Sequence, residues 1–214
     1  MGILRTLTAA AIGAALVNWI AQEKRERGSL SGVTRWLDAD DEPEAVGVSG
    51  FKLESREVQA GGTIDARFEF NGFDCSGDNK SPALDWTGAP EGTQSFALTL
   101  YDPDAPTGSG WWHWVVIDIP GHVSGLNADA GAADGSLLAP GARQLRNDYG
   151  QAGYGGVCPP RGDRPHRYVF TLYALKVPKL EIPDDATPAL AGFMIHSNLL
   201  GQASFTARYG RPKQ

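Results

Sequence analysis

The chain has 214 residues, a formal net charge of -6 and 42% hydrophobic residues, which suits one folded domain with an appendage. Its basic residues form no separate stripe, so the charge balance argues against nucleic acid as the main partner. The 27 glycines and 14 prolines lie between short apolar runs. This distribution favours tight turns between strands, and therefore a mainly β body.

The N-terminal segment, residues 1–27, is an Ala-rich apolar run that ends in the charged stretch 23–27. It predicts a helix that docks on its own domain or on a second subunit, with a signal peptide or a membrane anchor as the alternatives. The acidic segment 28–47 predicts a linker, and the folded domain is expected over 48–214. Cytoplasmic location is slightly favoured over a periplasmic or membrane-anchored one.

The folded part contains four runs with the alternation, or the β-branched and aromatic residues, that are typical of strands. These runs are 64–70, 95–101, 113–119 and 166–175. Thr187 followed by Pro188 predicts a helix N-cap with proline at the first helical position, and the helix is expected to continue through Leu200. An antiparallel β-sandwich with a late helix is the simplest architecture for this order of elements.

Polar side chains that can bind a ligand gather at the ends of these strands. Asp102, His113, His166 and Tyr168 supply a carboxylate, two imidazoles and a phenol. The imidazoles and the phenol can donate to a phosphate, while the carboxylate fixes a histidine tautomer. Taken singly, each has a structural interpretation as a turn cap or a core residue. Arg167 lies on the opposite face of its strand from His166 and Tyr168, and it is expected to be structural.

Two enzymatic alternatives use the same region, although the sequence contains no G-x-S-x-G, Walker A or H-E-x-x-H motif. Two histidines and an aspartate (Asp102, His113 and His166) have the composition of a facial-triad iron site. Cys158 could serve as a thiolate nucleophile assisted by His166. The two cysteines, Cys75 and Cys158, equally permit a disulfide or two free thiols. No cofactor is expected.

Two longer segments carry a family resemblance. YDPDAPTGSGWWHWVVIDIP (101–120) and PPRGDRPHRYVFTLYAL (159–175) resemble the two signature segments of the phosphatidylethanolamine-binding protein family. They are most similar to its bacterial, Raf-kinase-inhibitor-like branch. Further similar runs are SPALDW, NDYGQAGYGGVCPP and GFMIHSNLLGQASFTARYGR. The resemblance covers about residues 48–211 and leaves the N-terminal segment unexplained.

The resemblance implies an antiparallel β-sandwich of Greek-key type, with a C-terminal helix and the N-terminal helix as an addition. It implies a pocket for phosphate, phosphoethanolamine head groups or other small anions, and a binding protein in preference to an enzyme. The implied pocket residues are Asp102, Pro106, His113, Pro160, His166 and Tyr168, with the two prolines as walls. Trp112 stands where eukaryotic relatives tend to carry a second histidine.

The implied partners follow from the same resemblance. A small anion or phospholipid head group is the expected ligand. Regulation of a kinase or a protease is a further expectation, and no residue of the sequence identifies that partner. A homodimer or a membrane contact, formed through the N-terminal helix, is a further alternative.

Overall fold

A computed structural model of the chain describes residues 50–213. The predicted N-terminal helix, the linker and the domain boundary at residue 48 lie outside the described residues. Within 50–213, no helix is long and apolar enough to span a bilayer.

The described chain forms two antiparallel sheets, as the sequence predicted. The smaller sheet contains β1 (Lys52–Glu54), β2 (Leu84–Thr87) and β5 (Gly125–Leu126) in the order β1-β2-β5. The larger sheet contains β3 (Ser95–Asp102), β4 (Trp111–Pro120), β6 (Arg143–Gln144), β7 (His166–Leu175) and β8 (Leu199–Tyr209). Its order is β6-β4-β3-β7-β8. The predicted strands 95–101, 113–119 and 166–175 are confirmed, because they are parts or the whole of β3, β4 and β7.

The larger sheet is covered on both faces. One face shares a buried apolar cluster with the smaller sheet, in which Leu98 and Phe170 of the large sheet join Leu84 and Trp86 of β2. This packing makes the sandwich. The other face carries Ala97, Val115 and Tyr173 and is covered by helix α1 (Pro188–Ser197) and its approach segment. Strands β3 and β4 are therefore buried almost continuously, and β7 is buried continuously from Phe170 onward.

Helix α1 begins as predicted but ends earlier. The Thr187 side chain caps it by accepting a hydrogen bond from the Leu190 N–H, and Pro188 occupies the first turn. The expected continuation through Leu200 is wrong, because Asn198 ends the helix. Its side-chain amide donates to the Met194 carbonyl at 2.9 Å, and the chain enters β8 directly afterwards. The sequence analysis did not predict β8.

The predicted strand over 64–70 is also wrong. Residues Ala66–Phe68 form a turn of 3-10 helix instead. The Asp65 side chain accepts a hydrogen bond from the Arg67 N–H at 2.9 Å, and the Asp65 carbonyl accepts from the Phe68 N–H. Such local hydrogen bonds compete with pairing to a neighbouring strand.

A disulfide joins Cys75 to Cys158 across 83 residues of sequence. It ties the loop that follows the 3-10 turn to the segment that leads into β7. Of the two options that the sequence left open for these cysteines, the structure has the disulfide.

Candidate functional site

The candidate site lies where β3 ends and where β4 and β7 begin. Antiparallel pairing places Asp102, the last residue of β3, opposite Trp111, the first residue of β4. Tyr101 pairs with Val169, so the first residue of β7, His166, lies at the same end of the sheet. Asp102 and His166, which are 64 positions apart in sequence, thus meet at one end of the larger sheet.

A pocket of about 240 Å³ opens at this end. Its walls are mostly apolar, and its polar side chains include one carboxylate and two imidazoles. The lining residues are Phe73, Asp102, Ala105, Pro106, Thr107, Trp111, His113, Tyr149, Cys158, Pro159, Pro160 and His166. This set, drawn from the described residues, includes no lysine or arginine. An apolar concavity into which a small number of polar groups converge is typical of a small-ligand site.

The floor of the pocket contains a buried carboxylate–imidazole pair. His166 Nδ1 lies 2.8 Å from Asp102 Oδ2, and both side chains are almost fully buried. Asp102 Oδ1 also accepts a hydrogen bond from the Asp104 N–H at 2.8 Å. Because a carboxylate only accepts, His166 Nδ1 is the donor in the pair. The second ring nitrogen, Nε2, lies 3.7 Å from Asp163 Oδ2 at the half-exposed rim.

The second imidazole is held by the backbone rather than by a carboxylate. His113 Nδ1 lies 2.8 Å from the Gly155 carbonyl and 3.1 Å from the Gly156 carbonyl. Burial lowers the pKa of His113 below its usual value, and these carbonyls together with the Asp102 and Asp148 charges offset only part of that effect. The ring is therefore neutral near pH 7, with its proton on Nδ1.

Two tyrosines pack around His113. The Tyr149 and Tyr168 rings each meet the imidazole edge-on, at centroid distances of 5.6 and 5.3 Å. Burial, followed by the Asp102 charge, raises the pKa of both phenols, so both stay protonated. Tyr149 donates to the Gly156 carbonyl at 3.0 Å. The Tyr168 hydroxyl is buried beside the Asp102 carboxylate, which contributes to the raised pKa of the phenol.

One wall of the pocket is the turn that follows β3. Asp104 accepts hydrogen bonds from the backbone N–H and the guanidinium of Arg167, at 2.8, 2.9 and 3.0 Å, and it also pairs with Arg164. The structural role expected for Arg167 is thus observed. Gly110 closes the turn at φ +68, and a Cβ there would lie 2.1 Å from the Tyr101 hydroxyl. Only glycine fits this position.

The opposite wall is aromatic. Tyr149 stacks on Phe70 at a centroid distance of 4.0 Å, and Phe73 stacks on both rings. Phe73 is nevertheless 73% exposed, so its ring forms a lip of the pocket. The Cys75–Cys158 disulfide fixes the loop that carries Phe73 to the segment that carries Pro159 and Pro160.

A family model described as phosphatidylethanolamine-binding protein matches residues 54–210. The chain belongs to this family. It is 50% identical over 161 residues to the UPF0098 protein YbcL of Escherichia coli K12, covering 75% of this chain and 88% of that protein. It is 44% identical over 159 residues to UPF0098 protein YbhB of the same organism, covering 74% and 99%.

The fold comparison agrees with the sequence comparison. The crystal structure of E. coli YbcL, described as a new member of the mammalian PEBP family, superposes with a TM-score of 0.74 at 49% identity. It covers 76% of this chain and 99% of the YbcL chain. The mainly β fold and the family membership that the resemblance implied are therefore confirmed.

The structure brings five of the six predicted site residues into one pocket: Asp102, Pro106, His113, Pro160 and His166. Tyr168 lies behind the pocket, buried against His113. Trp112 points to the other face of β4, where its ring packs on Tyr101 at 4.4 Å, and Trp111 lines the pocket in its place.

Phe73 and Tyr149 line the pocket but were not predicted from the sequence. Each lies in a Gly-, Asn- and Asp-rich turn, and an aromatic residue in such a turn is the signal that could have found them. Phe73 in addition stands two residues before Cys75.

The geometry does not favour the enzymatic alternatives. Among residues 50–213, no three His, Cys, Asp or Glu side chains come together as a metal site requires. Cys158 is in the disulfide, so in this state it offers no thiolate to His166.

Proposed function

We propose that the chain binds small phosphate-containing anions, such as phosphate or a phosphoethanolamine head group, in the pocket formed by Asp102, His113 and His166. The observation that carries the proposal is the convergence of two imidazoles and one buried carboxylate in a concavity with apolar walls. A buried polar group without a protein partner gains most from a ligand that hydrogen-bonds to it. Membership of a family whose printed description names phosphatidylethanolamine supports the same class of ligand.

The apolar walls support a ligand with an organic part. Pro106 and Pro160 flank the mouth, and the Phe73 ring is exposed beside them. An anion on the floor would leave its substituent between these rings. Regulation of a kinase or a protease is an expectation of the resemblance alone, and the proposed binding role does not depend on it.

Calorimetric titration of the full chain with phosphate and with phosphoethanolamine tests the proposal. Replacing His113 or His166 by alanine removes a polar group from the pocket, so we expect each variant to lose affinity by about tenfold or more. His122→Ala is the matched control, because His122 is exposed and lies outside the pocket. Unchanged affinity in both pocket variants would contradict the site.

A further inference from the structure

The two ring nitrogens of His113 have different surroundings. Nδ1 faces the carbonyl oxygens of Gly155 and Gly156 at 2.8 and 3.1 Å. Carbonyl oxygens only accept hydrogen bonds, so both contacts require the proton on Nδ1. Gly156 is held in turn by its own N–H, which donates to Asn79 Oδ1 at 2.8 Å. The tautomer is thus fixed by the backbone of a packed loop.

The other nitrogen, Nε2, is left as an acceptor. His113 lines the pocket, and within residues 50–213 no group hydrogen-bonds to its Nε2. A second proton on this ring would place a charge at a site that is only 2% exposed, which costs free energy unless an anion compensates. The Nε2 lone pair is therefore available to a ligand in the pocket.

The charged and titratable groups around His113 come from each element that packs on it. Asp102 is on β3, Asp148 and Tyr149 are on the loop before β7, and Tyr168 is on β7. Burial has the largest effect on the His113 pKa and lowers it. The charges of Asp102 and Asp148 act in the opposite direction and raise it. The two phenols remain neutral.

Apart from the histidines, the described lining of the pocket offers one unpaired hydrogen-bond donor and no permanent cation. The Trp111 indole N–H is buried without a partner among the described residues, and no lysine or arginine of the described chain lines the pocket. The nearby arginines are engaged by carboxylates: Arg164 and Arg167 by Asp104, and Arg161 and Arg211 by Asp74. The lone pairs of an unprotonated oxyanion would therefore repel the lone pair of His113 Nε2.

We infer that the pocket selects ligands that bring their own acidic hydroxyl, so that a phosphomonoester monoanion binds more tightly than a phosphodiester of the same charge. The P–OH group of a monoester donates to His113 Nε2, while another of its oxygens accepts from the Trp111 indole N–H. A diester, such as the phosphatidylethanolamine in the family's description, has no such hydroxyl, so it forms this hydrogen bond only when His113 takes up a proton from solvent and it binds more weakly. This inference rests on the proposed function, whose ligand class it narrows.

Methyl phosphate and dimethyl phosphate form a matched pair for the test. At about pH 5.5, below the second pKa of a phosphomonoester near 6, methyl phosphate is mostly a monoanion with one hydroxyl. Dimethyl phosphate is a monoanion with a methoxy group in that place. Calorimetric titration of the full chain is expected to give at least about tenfold tighter binding of methyl phosphate, which equals about 1.4 kcal/mol.

Variants assign the preference to one nitrogen. In His113→Gln, an amide that can donate or accept replaces the fixed acceptor, so the preference is expected to fall to about twofold or less. His122→Gln, outside the pocket, is expected to keep it. A preference that persists unchanged in a folded His113→Gln protein would overturn the assignment to His113.

If His113→Gln does not fold, the comparison of methyl phosphate with dimethyl phosphate on the wild-type chain still tests the inference. Equal or tighter binding of dimethyl phosphate overturns the inference and leaves the proposed function in place. Binding of neither ligand at millimolar concentration overturns the proposed function and the inference with it.

Discussion

The two histidines of the pocket differ because their Nδ1 atoms face different acceptors. His166 donates to the Asp102 carboxylate, whereas His113 donates to two backbone carbonyls. The same residue type thus supplies an imidazole that is hydrogen-bonded to a carboxylate at one side of the pocket, and a neutral imidazole with a free acceptor nitrogen at the other.

The buried His113 makes the stability of the fold depend on pH. Its pKa in the native state lies below that of a histidine in the unfolded chain, which is about 6.5. Below about pH 6.5 the unfolded chain therefore binds more protons, and the free energy of unfolding falls as the pH falls, by up to about 1.4 kcal/mol per pH unit. Urea unfolding between about pH 7.5 and 5 measures this slope.

The slope should flatten in His113→Gln, which has no group to protonate in this window. His122→Gln should retain the wild-type slope, since His122 is exposed. Equal slopes in the wild type and in His113→Gln would show that His113 is not held neutral by the fold.

At the scale of elements, Asp104 couples the turn after β3 to β7. One carboxylate accepts three hydrogen bonds from Arg167, which stands between His166 and Tyr168 on β7. The Arg167 guanidinium is the main reason why the pKa of Asp104 falls to about 2. The turn that carries Pro106 is thereby fixed against the strand that carries His166.

Asp104→Asn should destabilise the fold by about 1–3 kcal/mol, because charged hydrogen bonds are replaced by weaker ones. The stabilisation by Asp104 is present above its ordinary pKa near 3.8 and is lost as the pH falls towards 2. Urea unfolding at neutral pH measures the difference. Asp85→Asn is the control, since Asp85 pairs with the exposed Arg56 at 3.5 Å, and such pairs contribute little. Equal losses in both variants would contradict the role given to Asp104.

The elements that the sequence predicted well are those whose signals are local. Strands β3, β4 and β7 are long apolar runs, and the start of α1 follows from the Thr187–Pro188 pair. The two errors arose where a side chain bonds to nearby backbone, at Asp65 and at Asn198. Hydrophobic patterning does not report such bonds.

The candidate site was predictable in part for a related reason. Asp102, His113 and His166 stand at strand ends that come together when β4 and β7 both pair antiparallel with β3, as they do here. Phe73 and Tyr149 reach the pocket through long-range contacts, namely the disulfide across 83 residues and the stacking of Tyr149 on Phe70 and Phe73. Nothing in the local sequence fixes such contacts.

At the scale of the described domain, the pocket rests on a scaffold that is packed on both faces. The apolar cluster shared with the smaller sheet and the apolar cluster beneath α1 together bury the middle of the larger sheet. The pocket residues lie at the end of this sheet. The disulfide adds a covalent connection between two walls of the pocket. Disulfides are typical of oxidising compartments, whereas the sequence alone slightly favoured the cytoplasm.

The central claim is that a phosphate-containing anion occupies the pocket between His113 and His166. A crystal structure of the full chain grown with phosphoethanolamine tests it most directly, because it locates the phosphorus atom. The account predicts the phosphate on the floor formed by the two imidazoles, with the ethanolamine part between Pro106, Pro160 and Phe73. A phosphate bound elsewhere on the domain, with this pocket holding only water, would contradict the account.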